Sequence, residues 1–189
     1  MIIISLLIGS YLLGSLLTGS LLSTVYYKEE IRTKGSGNPG ARNMGRLYGK
    51  KAFVITFLGD ALKGIIVVYA ARIFGFDQLI ELLLLLFVII GHIYPMFYRF
   101  RGGKGVSTFI GGLLVFNPLV FLVFVSIFLV LLFFMKNFTG AGLSATLSLP
   151  IVILVFSYNT HFIYLSCLIS GIILFAHRDD IKWKHQTAN

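Results

Sequence analysis

Two clusters of glycine, amide and cationic side chains stand out in a chain otherwise rich in hydrocarbon. The first reads Lys34-Gly-Ser-Gly-Asn-Pro-Gly-Ala-Arg-Asn-Met-Gly-Arg46. Gly35, Gly37 and Gly40 let the backbone turn its N–H groups toward one point, which makes an anion nest. Ser36, Asn38 and Asn43 add hydrogen-bond donors, and Arg42 and Arg46 add charge and a planar fork for phosphate oxygens. The second cluster runs from Gly91 to Thr108 and contains Arg-Gly-Gly-Lys-Gly-Val-Ser-Thr at its end. There Gly102, Gly103 and Gly105 surround Lys104, and an apolar helix is expected to start just after, with Ser107 and Thr108 in its first turn. A glycine turn, a lysine and a helix N-terminus form a phosphate site. The spacing is not that of a Walker A loop, because Lys104 is followed by Gly105, so ATP is not implied.

Weaker signals lie inside the apolar runs. Asp60 and Lys63 stand one helical turn apart in Gly59-Asp-Ala-Leu-Lys-Gly64. Ionisable groups at such depth face a bundle interior or a cavity, and these two can pair with each other or serve a site. His92 can bond a carbonyl or move a proton. The tail His177-Arg-Asp-Asp-Ile-Lys182 places an imidazole and carboxylates just past an apolar segment. There is no HEXXH, no Cys/His ligand set and no GxSxG elbow, so no metal or cofactor is implied. The His-x4-Asp spacing is also missing, since Met96 stands four residues after His92.

The elements that must position these clusters are membrane helices. The chain has 189 residues, 57% hydrophobic and 12% charged, against about 45–50% apolar and about 25% charged in a soluble domain. A bilayer span needs roughly 20 mostly apolar residues. Candidate spans fall at 2–23, 52–74, 79–98, 105–117, 118–135, 140–157 and 160–176. The fourth is short and glycine-bearing, and Gly111 and Gly112 would let another helix approach closely. Asn117-Pro118 is a turn signal, and Pro95 is expected to kink or loosen the inner end of the third span.

Charge placement gives an orientation. With the N-terminus outside, the basic segments 24–51, 99–104 and 177–189 and Lys136 all fall on the cytoplasmic side, as the positive-inside rule requires. Arg72 near an outer end is the exception, and it could snorkel. The formal net charge of +9 is then membrane topology rather than nucleic-acid binding. The first lysine, Lys28, follows the first apolar run, which suits an uncleaved helix rather than a signal peptide. Cys167 is the one cysteine, which excludes an intrachain disulfide; it is expected to pack in the bundle. The reading is an all-α polytopic bundle of about seven spans, a single membrane domain over 1–189. Two glycine–cation nests on its cytoplasmic face imply a substrate with a phosphate head and a lipidic tail.

Gly35-Ser-Gly-Asn-Pro-Gly-Ala-Arg-Asn43, Gly59-Asp-Ala-Leu-Lys-Gly64 and Gly91-His-Ile-Tyr-Pro-Met-Phe with Gly102-Gly-Lys-Gly-Val-Ser-Thr108 resemble the acyl-phosphate:glycerol-3-phosphate acyltransferases of the PlsY type. The resemblance spans nearly the whole chain. It implies a seven-helix membrane fold and transfer of an acyl chain from acyl phosphate to sn-glycerol 3-phosphate, giving lysophosphatidic acid and phosphate in the first step of phospholipid synthesis. The enzyme would sit in the cell membrane, with its active site toward the cytoplasm and a soluble or peripheral enzyme supplying acyl phosphate. By motif matching, Ser36, Arg46, Lys104 and His177 would be catalytic. Asn38, Arg42, Asn43, Ser107, Thr108, Asp180 and the neighbouring glycines would bind phosphate. Asp60, Lys63 and His92 are further candidates.

Two departures from the family pattern matter. Arg42 replaces a threonine, and Asp180 stands where asparagine is usual, with Thr187 and Asn189 in place of a terminal glycine and glutamate. Arg42 and Asp180 could offset each other by charge. The alternative reading is a paralogue that binds lipid phosphates or acyl phosphate without this turnover. A plain basic membrane anchor would need neither the asparagines nor the glycines.

Overall fold

The computed structural model describes residues 1–156 and 158–179. Among them are nine α-helices: α1 (Ile2–Gly14), α2 (Thr18–Val25), α3 (Ala41–Tyr48), α4 (Lys50–Ile73), α5 (Gln78–Ile93), α6 (Val106–Phe116), α7 (Pro118–Met135), α8 (Phe138–Val155) and α9 (Thr160–Ala176). The described residues form two compact units, Met1–Phe116 and a second that begins at Asn117.

The protein is an inside-out amphiphile. On α4 the residues Leu58, Leu62, Ile66, Tyr69 and Ile73 are exposed at helical spacing, while Thr56, Asp60, Lys63 and Gly64 on the other face are buried. Such a helix is stable only where lipid meets the apolar stripe. Four helical segments are long and apolar enough to cross a bilayer, and a fifth span results if α1 and α2, bent by 43°, count as one. The chain is therefore a multi-pass membrane protein. At 11 residues α6 falls short of a full span and α9, at 17, is close to one.

In the first unit α1 packs on α5, and α4 packs on α5, α6 and α3. Two reciprocal glycine crossings set the spacing. A side chain on Gly14 would strike the Val88 carbonyl, and one on Gly91 would strike that of Tyr11. Likewise Gly64 lies against the Thr108 carbonyl and Gly111 against that of Ala61, so the close approach expected at Gly111 is to α4. Small residues allow backbones to meet in this way. Arg72, half-exposed near the end of α4, is paired. It holds the buried Glu81 through two bonds of 2.9 and 2.7 Å and donates to the carbonyls of Val115 and Phe116 at the end of α6.

The second unit packs α8 against α7 and α9. Asn117 opens α7 by accepting from the amides of Leu119 and Val120, with Pro118 in the first turn, a position where proline loses nothing. Ser170 of α9 donates to the Thr146 carbonyl of α8 at 2.7 Å. Cys167 is exposed rather than packed, because it lies on the outward face of α9. Asp180, Thr187 and Asn189 lie outside the described residues.

Candidate functional site

The first cluster is half loop and half helix. Gly35 and Gly37 have φ of +58° and +70°, which L side chains rarely adopt. Ala41 then begins α3, which carries Arg42, Asn43 and Arg46. Glycine-rich composition alone suggests a loop here, yet its second half is helical. The spacing Ala41, Met44, Tyr48 is the helical signal that could have found it.

Asn43 is the staple of the loop. It is 2% exposed; its Oδ1 accepts the Ser36 amide at 3.0 Å and its Nδ2 donates to the Lys34 carbonyl at 3.1 Å. A side chain on Gly35 would strike that same Oδ1. Asn38 accepts the Gly40 amide at 3.1 Å. Asn43, buried and with both ends engaged on backbone, shapes the nest from beneath, while Asn38 braces Gly40 through its Oδ1. A small apolar core of Ile31, Met44 and Ala52 lies under the loop, with Leu22, Tyr27 and Tyr48 around it.

The exposed side chains of α3 face a groove. Arg42, Gly45, Arg46 and Lys50 line it together with Phe53 and Val54, around a volume of about 500 Å³. Three cations and two apolar side chains in one open depression suit an anionic head with a hydrocarbon tail. The rim of the loop is internally neutralised. Glu29 accepts from Lys34 and from the Tyr48 hydroxyl, and those bonds hold its carboxyl below the usual value. The same bond pushes the Tyr48 hydroxyl up to about 12. Arg32 pairs with Glu30 at 2.8 Å, donates to the Tyr98 carbonyl at 3.3 Å and lies 4.9 Å from the centre of the Tyr98 ring. Thus Arg32, absent from the sequence candidates, ties the first cluster to the turn that precedes the second.

In that second cluster α5 ends at Ile93, and Pro95 opens a short turn over Met96–Tyr98 instead of kinking a continuing helix. Arg99 and Phe100 both take left-handed φ, and the chain folds back over the end of α5. The amides of Gly103 and Gly102 donate to the carbonyls of His92 and Ile93, each at 3.0 Å. Those two amides cap the end of α5. Gly105, with φ +78°, makes the turn into α6, beside half-buried Lys104 and Ser107. Thr108 is fully buried at the α4 crossing, a position from which its hydroxyl does not line a surface.

Asp60, Lys63 and His92 meet. The Lys63 ammonium lies 2.8 Å from Asp60 Oδ1 and 3.1 Å from His92 Nδ1, and donates to the Leu16 carbonyl at 2.8 Å. Asp60 in turn accepts the Thr18 amide at 3.4 Å. The break between α1 and α2 therefore has both its amide and its carbonyl satisfied by an ion pair on α4, as a buried break requires. In the second unit His177 follows α9, is 7% exposed, and has Nδ1 2.8 Å from the Ile173 carbonyl. A carbonyl only accepts, so Nδ1 carries a proton.

A multi-pass membrane protein with a stapled glycine loop and a cation-lined, apolar-floored groove is the class that fold and site define. A family profile described as glycerol-3-phosphate acyltransferase matches residues 4–185. Glycerol-3-phosphate acyltransferase 1 of Bacillus cereus is 49% identical over 150 residues, 79% of this chain and 82% of the relative. The glycerol-3-phosphate acyltransferase of Neisseria meningitidis serogroup C is 40% identical over 163 residues, 84% of this chain and 82% of the relative. A crystal structure of PlsY, an integral membrane glycerol 3-phosphate acyltransferase, in its glycerol 3-phosphate form is similar with a TM-score of 0.90 at 32% identity, covering 99% of this chain and 94% of that one. Its lysophosphatidic acid form gives 0.87. The chain belongs to the glycerol-3-phosphate acyltransferase family.

Proposed function

We propose that this protein transfers an acyl chain from acyl phosphate to the hydroxyl of sn-glycerol 3-phosphate, releasing lysophosphatidic acid and inorganic phosphate. The observation that carries the reading is the groove in which Arg42, Arg46 and Lys50 stand beside Phe53 and Val54, next to a loop whose shape Asn43 maintains. Family membership supplies the acceptor class. An acyl phosphate is a mixed anhydride, so the chemistry needs no covalent enzyme nucleophile. The glycerol hydroxyl oxygen bonds to the acyl carbon, the bond from that carbon to the phosphate oxygen breaks, and phosphate departs with the electron pair. The protein's part is to orient the two substrates and stabilise charge on the leaving phosphate.

Ser36, Arg46 and Lys104 are assigned to gripping the phosphates, with Arg42, Lys104's neighbour Gly105 and Ser107 around them. The hydroxyl proton goes to a base, either His177 Nε2 or a substrate phosphate oxygen. Seven crossings with the N-terminus outside put Lys104 and the α3 groove on the cytoplasmic side of the cell membrane, where a soluble or peripheral enzyme delivers acyl phosphate. Arg42 favours a second reading, phosphate-ligand binding without turnover, because it adds bulk and charge where the family has threonine.

Steady-state assays on purified protein decide between the two. The acyltransferase reading expects lysophosphatidic acid from wild type and at least a hundredfold lower kcat/KM in Lys104→Ala. Tight binding of glycerol 3-phosphate with no product would replace it with the second.

A further inference from the structure

The phosphate-gripping scheme leaves Asp60, Lys63 and His92 without a role, although all three are buried, at 1%, 5% and 3% exposure. Burying such groups in a membrane bundle is unfavourable unless their partners are fixed and the arrangement serves something. Their bonds run in one direction. Asp60 Oδ1 holds the Lys63 ammonium at 2.8 Å, and Lys63 Nζ meets His92 Nδ1 at 3.1 Å. An ammonium only donates, so Nδ1 accepts and the neutral ring carries its proton on Nε2. That Nε2 occupies the notch left by Gly103: a side chain there would land on it, and one on Gly102 would strike the His92 carbonyl. The same carbonyl accepts the Gly103 amide, and the Ile93 carbonyl accepts that of Gly102, each at 3.0 Å. His92 therefore holds the strap twice, by its backbone oxygen and by its ring, and Lys104 is the next residue.

We propose that Asp60, Lys63 and His92 are positioning residues that fix the Gly102–Gly103 strap and so set where the Lys104 ammonium meets a phosphate. Asp60 orients Lys63, Lys63 orients the imidazole, and the imidazole fills the space beneath Gly103. The glycines are required by this contact rather than by anion binding at their own amides. The part about phosphate rests on the acyltransferase reading; the part about the strap does not.

Hydrogen exchange on the purified full chain tests the strap directly. In His92→Asn, whose shorter side chain leaves the notch, exchange over 99–105 is expected to rise roughly tenfold while α4 and α6 keep wild-type protection. Gly103→Ala removes nothing from the core and should give the same local rise. Unchanged exchange in both variants overturns the proposal, as does an equal rise across α4 and α6, which is general destabilisation. The link to Lys104 is read from kinetics. His92→Asn should raise KM for glycerol 3-phosphate roughly tenfold with kcat within about threefold, and should change nothing further in a Lys104→Ala background. Equal effects in both backgrounds would refute the link. A wild type that makes no product would count against the acyltransferase reading alone, while exchange still decides the strap.

Discussion

Substituting Gly64 by alanine puts one methyl group where α4 and α6 touch backbone to backbone. The new Cβ would land on the Thr108 carbonyl and 2.6 Å from the Gly112 nitrogen. Backbone atoms have no rotamer into which to retreat, so the helices must separate. The reciprocal contact, Gly111 on the Ala61 carbonyl, is then lost as well. Overpacking of this kind destabilises by about 1–3 kcal/mol. Alanine also gains about 1 kcal/mol of helix propensity over glycine, which an internal control removes. Gly171 lies within α9, and a Cβ there would meet nothing within 4 Å. Gly171→Ala therefore reports propensity alone, and Gly64→Ala should lie about 1–3 kcal/mol below it. At on the order of 2–4 °C per kcal/mol, the gap in midpoint is roughly 2–12 °C. Thermal unfolding of both variants in one detergent, followed by circular dichroism, measures it. A Gly64→Ala midpoint equal to or above that of Gly171→Ala would refute the crossing and, with it, the placement of the residues that begin α6.

Other parts of the structure give separate expectations. Arg72→Met strands the buried Glu81 carboxylate and should destabilise by about 3–5 kcal/mol, with much of the loss recovered in Arg72→Met/Glu81→Leu; thermal unfolding of the two variants checks this. Asn43→Ala frees the Ser36 amide and Lys34 carbonyl, a loss of about 1–3 kcal/mol, and should raise KM for glycerol 3-phosphate in the product assay. Bonding to Arg32 holds the Glu30 carboxyl below its ordinary value of 4.5. A depressed carboxyl stabilises the fold above its unfolded value and loses that contribution as pH falls through the depressed one. The stability advantage of wild type over Glu30→Gln should thus be full above about pH 4.5 and shrink below it, as a series of unfolding midpoints at falling pH would register.

The membrane elements were legible because bilayer thickness demands long apolar runs. The expected span 118–135 coincides with α7, and 160–176 with α9. The bend between α1 and α2 was not legible. Neither proline nor an unusual residue marks Ser15-Leu16-Leu17; the break persists because Lys63 and Asp60, more than forty positions away, satisfy its backbone groups. The Arg72–Glu81 pair was hidden for a similar reason, since its partners stand on different helices and nothing in their local sequence marks them as a pair. The clusters themselves were visible as composition. What composition could not convey is which polar groups point outward. Asn43 and the Gly102 and Gly103 amides have the chemistry of phosphate ligands yet serve as internal braces, whereas Arg42 and Arg46 on α3 remain at the groove. That distinction depends on packing by Met44 and on the turn at Arg99 and Phe100, both products of tertiary folding.

If cations of the α3 groove and Lys104 act together on one acyl phosphate and one glycerol 3-phosphate, lipid and phosphate must form in step. The most direct measurement is the product balance of the purified protein given those two compounds alone. One lysophosphatidic acid is expected for each inorganic phosphate released, dependent on glycerol 3-phosphate and lost in both Arg46→Ala and Lys104→Ala. Phosphate release without the lipid, or a Lys104→Ala variant that matches wild type, would contradict it.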